Sequence, residues 1–322
     1  RRGGPVECVR RGGPVSTEGG MKAVVAALLA NVGIAISKFV AFAFTGSSSM
    51  LSEAIHSLAD SGNQVLLLVG NKRSKKAPDA QHQFGYGRRR YVYGFIVSIV
   101  LFLVGGLFSL YEGFHKFQHP EDLSDAWIAF LVLGIAIVLE GFSFRTAVRE
   151  ANRARGKRSL FRFLRDARQP ELPVILLEDL GALVGLVFAL FGVSMAVVTG
   201  DGRWDGLGAM AVGTLLVVIA IFLAFEMAAM LVGESALPEE DAAIRAALAS
   251  SPLVDRVIHV RTLHVGPDEL LVGAKIAISN SDTGAEIAAG IDDAEARLRA
   301  AVPNAVYVFL EPDLDRTDPG SA

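Results

Sequence analysis

Residues 52 to 63 read Ser52-Glu53-Ala54-Ile55-His56-Ser57-Leu58-Ala59-Asp60-Ser61-Gly62-Asn63, and they sit inside an apolar stretch of helical length, residues 48 to 70. A stretch of about 20 apolar residues crosses a bilayer as a helix, because only an internally hydrogen-bonded backbone survives in hydrocarbon. Ionisable groups inside such a span cost about 2.5 to 3.5 kcal/mol each on insertion scales, so their presence points to function. His56 and Asp60 are four residues apart, one helical turn, and share a face. An imidazole and a carboxylate so placed supply two of the four ligands that a tetrahedral zinc ion takes. The competing use of such a pair is a His–Asp hydrogen bond that joins two helices.

Outward from this stretch, five more apolar segments of spanning length follow the same logic: residues 22 to 44, 91 to 113, 126 to 145, 172 to 199 and 206 to 233. Composition agrees, since a chain of 322 residues that is 52% hydrophobic and 20% charged, with a mean hydropathy of +0.42, is too apolar for a soluble domain of its size. The connections alternate in charge. Lys72, Arg73, Lys75, Lys76, Arg88, Arg89 and Arg90 lie between the second and third spans, and nine Lys or Arg lie from Arg145 to Arg168 between the fourth and fifth. The other connections hold only Lys116 and Arg203. The positive-inside rule therefore puts both basic loops, and with them both termini, in the cytoplasm. Arg-rich, Ala-, Gly- and Val-rich composition suggests a bacterial gene and hence a bacterial cell membrane.

After Pro238 the pattern becomes that of a small soluble domain. From Ser235 onward there are 15 Asp or Glu against 7 Lys or Arg. A helix near Glu239 to Ser250 is expected, then strands at Arg256 to His264 and Glu269 to Ile278 around the turn Val265-Gly266-Pro267-Asp268. Alternation at Leu270, Val272, Ala274, Ile276 and Ile278 turns one face of the second strand inward. A helix carrying Ile287, Ile291, Ala294 and Leu298 and a strand at Ala305 to Leu310 complete an α-β-β-α-β order. The fold class expected is thus an all-α membrane domain of six transmembrane helices, followed by a small cytoplasmic α+β, ferredoxin-like domain. The boundaries expected are a leader or artefact at 1–20, with RRGGPV twice and Met21 as the start, then a membrane domain at 21–234, a soluble domain at 235–316 and a disordered tail at 317–322.

The fifth span contributes Glu178 and Asp179. Adjacent helical residues point about 100° apart, so one of the two faces a shared ion; Asp179 is the first choice and Glu178 the reserve. Glu140 in the fourth span is expected to pair with Arg145 near the cytoplasmic end, ahead of the alternative, a role in transport. The single cysteine, Cys8, makes neither an intramolecular disulfide nor a thiolate cluster. With no G-x-x-x-x-G-K-[ST] phosphate loop, direct ATP drive is unsupported, and with no H-E-x-x-H pair an intramembrane zinc hydrolase is disfavoured. The chain is not expected to be an enzyme.

Taken in order, Lys38, Thr45-Gly46-Ser47-Ser48-Ser49, His56-Ser57-Leu58-Ala59-Asp60 and His82-Gln83-Phe84-Gly85-Tyr86-Gly87-Arg88 resemble the cation diffusion facilitator family over Met21 to about Asp315. Ser-Glu-Ala-Ile-His-Ser-Leu and Leu-Leu-Glu-Asp are similar to a divergent branch of it. The resemblance implies zinc held midway through the membrane by residues of the second and fifth spans and exchanged for protons, in a homodimer. It carries the ligand roles onto His56, Asp60 and Asp179. Where the family often has a histidine four positions before that aspartate, this sequence has Ile175. Glu178, Glu53, Asn63 or water is left to complete the shell.

Two further metal sites of the family are depleted here. In the loop after the second span Asp79 and His82 match, but Tyr86 replaces the second histidine, which leaves at most a weak site. In the soluble domain the metal-binding histidines of relatives align with Ile258, Ala274 and Phe309, leaving Glu311 and Asp313 as a carboxylate remnant. His259 and His264 have opposite parity along a strand and are expected to be ordinary surface histidines.

The function expected is efflux of a divalent cation, zinc before cobalt, iron, nickel or manganese, by proton-coupled antiport with alternating access. Zinc enters as the transported substrate, with no permanently bound cofactor. The partners expected are the metal, protons, the lipid membrane and a second copy of the chain, with no nucleic acid. The alternative is a transport-inactive membrane scaffold or regulator with a vestigial metal site.

Overall fold

The computed structural model describes residues 17–45, 48–120, 126–156, 159–279 and 283–314, with side chains described in these segments except at 17–23, 41–42, 44–45, 48–56 and 126. Two compact units emerge, one of residues Thr17–Val232 and one that starts at Gly233. The first is wholly helical: α1 Thr17–Thr45, α2 Ser48–Ser74, α3 Arg89–Val100, α4 Phe108–Gln118, α5 Ala126–Arg155, α6 Leu160–Asp166, α7 Glu171–Thr199 and α8 Arg203–Val232. α3 runs into α4 through a π-helical segment, Leu101–Leu107, that carries Gly105 and Gly106.

Among the described residues, four stretches are long and apolar enough to cross a membrane: Arg89–Gln118, Trp127–Arg155, Glu171–Thr199 and Arg203–Val232. The first of these contains α3 and α4 as one rod. In α1 the described apolar run is Val24–Val40, and α2 carries the polar residues Ser57, Ser61, Asn63, Gln64 and Asn71, which are buried. Among the described residues, four clear spans follow from length and composition. Part of the basic connection read as a loop is helical, because α5 continues to Arg155 and Ser159 caps α6 by accepting from the Arg162 N–H at 3.2 Å.

Glycine lets helices meet backbone to backbone. A Cβ added at Gly113 in α4 would stand 2.6 Å from the Met210 nitrogen, and one at Gly206 in α8 would stand 2.7 Å from the Phe117 nitrogen. Small residues at such crossings are the usual device of membrane helix packing, where apolar surface gains nothing by leaving lipid. A buried ion pair ties the starts of α3 and α7: Arg90 donates through Nε to Glu171 Oε1 at 2.5 Å and through Nη2 to Oε2 at 2.6 Å. The bidentate fork satisfies both carboxylate oxygens, the condition for tolerating buried charge.

The second unit contains α9 Pro238–Ala249, β1 Arg256–Gly266, β2 Glu269–Ile278, α10 Gly284–Ala301 and β3 Ala305–Leu314. β2 lies centrally, antiparallel to β1 and parallel to β3. Leu270, Val272, Ala274 and Ile276 bury one face of β2 against Ile244, Leu248, Ala294 and Leu298 of the helices, as period-two and helical spacing require. Thr283 and Glu286 form a reciprocal capping box at the start of α10. His259 is exposed, but His264 is 1% exposed and belongs to the interior, which corrects its reading as a surface histidine. At His264 the end of β1 is drawn inward, its backbone N–H donating to Glu234 O at 2.9 Å.

Candidate metal site

The polar centre of the helical unit is a junction of α2 with α7. Asn63 Nδ2 donates to Glu178 Oε1 at 2.7 Å, and Gln64 Nε2 donates to Glu178 Oε2 at 3.0 Å. A second amide lies behind the first: Asn31 Nδ2 on α1 donates to Gln64 Oε1 at 3.2 Å. All four side chains are buried, with Glu178 5% exposed. Asp60 precedes Asn63 by three residues, so both belong to the face of α2 that meets Glu178. The charges of Asp60, Asp179 and Glu140 lie within electrostatic reach of Glu178.

Asp179 is 2% exposed and is held from α5, where Ser143 Oγ donates to its Oδ2 at 2.7 Å. The two neighbouring acids of α7 thus have separate supports, Glu178 on α2 and Asp179 on α5, as their angular separation on a helix demands. Glu140 is buried one turn before Ser143 on α5. The charges that act on it are those of Asp179, Asp60 and Lys38. Its expected partner Arg145 makes no ion pair with it among the described residues, because Glu140 faces the interior of the helical unit. Lys38 of α1 is 8% exposed and donates to Ser57 Oγ at 2.9 Å. Four helices therefore contribute to one buried polar cluster that is rich in carboxylate.

The side chains of His56 and Glu53 lie outside the described residues. Position 56 falls within α2, one turn before Asp60. Among the described residues no three His, Cys, Asp or Glu side chains are grouped so as to hold a metal ion. Ile175, one turn before Asp179, is fully buried among Val174, Leu176, Leu216 and Ile219, so an aliphatic side chain fills the position where the resemblance leads one to look for a histidine.

The two outer positions are occupied by other chemistry. In the loop between α2 and α3, Asp79 accepts from the Gln81 and His82 N–H groups at 3.1 and 2.9 Å through Oδ1. Its Oδ2 accepts from Lys76 Nζ at 2.7 Å and the Tyr86 hydroxyl at 2.6 Å. His82 stacks on Tyr86 with centroids 4.3 Å apart. The hydrogen bonds from Lys76 and then Tyr86 hold the Asp79 carboxyl well below the usual carboxylate range. In the sheet unit, Lys275 Nζ lies 3.2 Å from Glu311 and 2.8 Å from Asp313. Both carboxylates of that remnant are paired with an ammonium group.

Sequence spacing marked Asp60, Glu178 and Asp179 but passed over Gln64, Ser143 and Asn31. Neutral amides and hydroxyls are common in helices of every kind, and only the fold reveals that these face carboxylates.

The sequence matches the profile of the cation efflux transmembrane domain over residues 24–232. It is 34% identical over 264 residues to a Mus musculus protein named proton-coupled zinc antiporter SLC30A9, mitochondrial, with 81% of this chain and 47% of that one aligned. The Homo sapiens protein of the same name is 34% identical over 257 residues, which cover 79% and 45% of the two chains. Metal tolerance protein C4 of Arabidopsis thaliana is 26% identical over 266 residues, 81% of this chain and 58% of that one. The chain spans roughly half the length of the curated relatives it matches.

Proposed function

The chain belongs to the cation efflux, or cation diffusion facilitator, family of integral multi-pass membrane proteins, and from that premise we propose that it exports a divalent cation, zinc foremost, in exchange for protons. The observation that carries this reading is the α2–α7 junction, where the Asp60 face of α2 is joined to Glu178 through Asn63 and Gln64. A cluster of Asp60, Glu140, Glu178 and Asp179 with Lys38 nearby has more anionic than cationic groups. A divalent cation supplies the positive charge that such a buried set needs.

In this reading His56, Asp60 and Asp179 ligate the metal, and Glu178 joins the shell. α1 and α2 cross the membrane with the four apolar spans and present their polar residues to the interior of the bundle, which is how polar spans are tolerated. In this reading the basic connections, and with them the termini, lie on the cytoplasmic side by the positive-inside rule. Ligation requires a neutral imidazole and ionised carboxylates, so metal entering from the cytoplasm displaces protons, and protons arriving from the other side displace the metal. Ion-gradient drive fits the names of the relatives, which specify a proton-coupled zinc antiporter in mouse and human. A second copy of the chain, joined through the sheet unit, belongs to the same proposal. A vestigial scaffold is the weaker reading, because the buried carboxylates Glu140, Glu178 and Asp179 are costly to retain without a cation to serve.

Zinc uptake into sealed vesicles made with the pure protein tests the ligand set. His56→Ala, Asp60→Ala and Asp179→Ala are each expected to reduce uptake at least tenfold, the low end of the losses seen when metal-site partners are removed, with helical content unchanged. Wild-type rates in these variants would remove the site from α2 and α7.

A further inference from the structure

Asn63 presents a feature that helix packing alone leaves unexplained. It is 1% exposed, and its Nδ2 is committed to Glu178 at 2.7 Å. Its carbonyl oxygen, Oδ1, is buried and accepts no hydrogen bond from any described residue. An ionised carboxylate accepts only, so beside it the amide turns its nitrogen toward Glu178, and the oxygen is thereby directed elsewhere. A buried amide oxygen without a donor carries a desolvation cost that native structures rarely leave standing. The atom sits one turn beyond Asp60 on the same face of α2, beside a carboxylate cluster. A cation is the partner that such an oxygen suits.

We propose that Asn63 is a specificity-determining residue of the transport site, its carbonyl oxygen a direct donor to the metal while its amide nitrogen holds Glu178 in position. The inference rests on the site proposed above and concerns which metals that site accepts. With Ile175 in place of a nitrogen donor, Glu178 and Asn63 make the shell rich in oxygen. Carboxylate and carbonyl oxygens favour harder ions such as manganese, whereas imidazole favours zinc and its softer neighbours. The chain therefore binds Mn2+ as well as Zn2+, and Asn63 sets the ratio. Gln64, braced by Asn31, is a positioning residue for the other oxygen of Glu178.

The experiment is competitive binding of Zn2+ and Mn2+ to the purified full-length protein, comparing wild type with Asn63→Leu, Asn63→Asp and His56→Ala. Asn63→Leu removes both the oxygen and the hydrogen bond, whereas Asn63→Asp keeps an oxygen donor and gives up the bond to Glu178. Asn63→Leu should weaken Mn2+ by about tenfold more than Zn2+, and Asn63→Asp should hold both metals. Circular dichroism checks folding, and Asn63→Ala is read in the same way if the leucine variant fails to fold. Should Asn63→Asp prove as weak as Asn63→Leu for both metals, the amide nitrogen is all that matters and the donor role is wrong. A wild type that binds Zn2+ but no Mn2+ overturns it as well. If His56→Ala loses zinc while all Asn63 variants match the wild type, this inference alone falls. If His56→Ala binds zinc as the wild type does, the transport site itself is misplaced.

Discussion

Asp79 illustrates how one neighbouring phenol redirects a carboxylate. Tyr86 stands where a second histidine would complete a loop site, and its hydroxyl and the Lys76 ammonium occupy Oδ2 while two backbone N–H groups occupy Oδ1. The folded carboxyl titrates below the ordinary value of about 3.9. A depressed value means that the stabilisation is fully present above the ordinary carboxylate range and is lost only as pH falls through the lower folded value. Hydrogen exchange at the Gln81 and His82 amides should therefore stay slow at about pH 4.5, and Asp79→Asn should accelerate it. His82→Ala should leave zinc affinity unchanged in calorimetry. Loss of protection with a midpoint near pH 4 would show that these hydrogen bonds do not hold the carboxyl low, and a zinc site abolished by His82→Ala would show that the loop binds metal after all. At this scale the sequence pointed to the acids Glu178 and Asp179 of one apolar helix, which the fold buries. It was silent on the hydrogen bonds of Glu178, whose donors lie on a helix 114 and 115 residues away.

Among the elements, the apolar runs announced their helices, but two local features did not. Leu160–Asp166 sits in a basic stretch, and its Phe163, buried beneath the charges, is too short a signal to separate a helix from a loop. The π-helical turn at Leu101–Leu107 is likewise invisible to hydropathy, since it alters hydrogen bonding and not composition. The α4–α8 crossing gives a direct test of the packing. Gly206→Ala places a Cβ 2.7 Å from the Phe117 nitrogen and 2.8 Å from the Gly113 oxygen, so backbone must move. A loss of about 1 to 3 kcal/mol is expected from such overpacking, read as a lower thermal midpoint in detergent. Gly134→Ala, with nothing within 4 Å of the added carbon, should be neutral or mildly stabilising through helix propensity. Equal effects at the two positions would mean that α4 and α8 do not approach this closely.

For the molecule as a whole, the change of period at Pro238 announced a second unit, and the observed α-β-β-α-β order follows the alternation of Leu270 to Ile276 and the helical spacing of Ala294 and Leu298. The pairing of Lys275 with Glu311 and Asp313 was not legible, because parallel register between β2 and β3 brings these side chains together across an intervening helix. In the helical unit, by contrast, the buried carboxylates Glu140, Glu178 and Asp179 lie within electrostatic reach of Asp60, and acids outnumber the one nearby base, Lys38. That asymmetry underlies the central claim that a divalent cation is exchanged for protons. Its most direct test is zinc flux into sealed vesicles containing only this protein under an imposed pH gradient. Zinc should move opposite to the protons, and a proton carrier should abolish its accumulation. Apparent affinity should fall as pH drops through the range of a neutral imidazole, about 6.5 for the reference group. Zinc movement indifferent to the gradient and to pH would contradict proton exchange and leave facilitated diffusion or another coupling ion in its place.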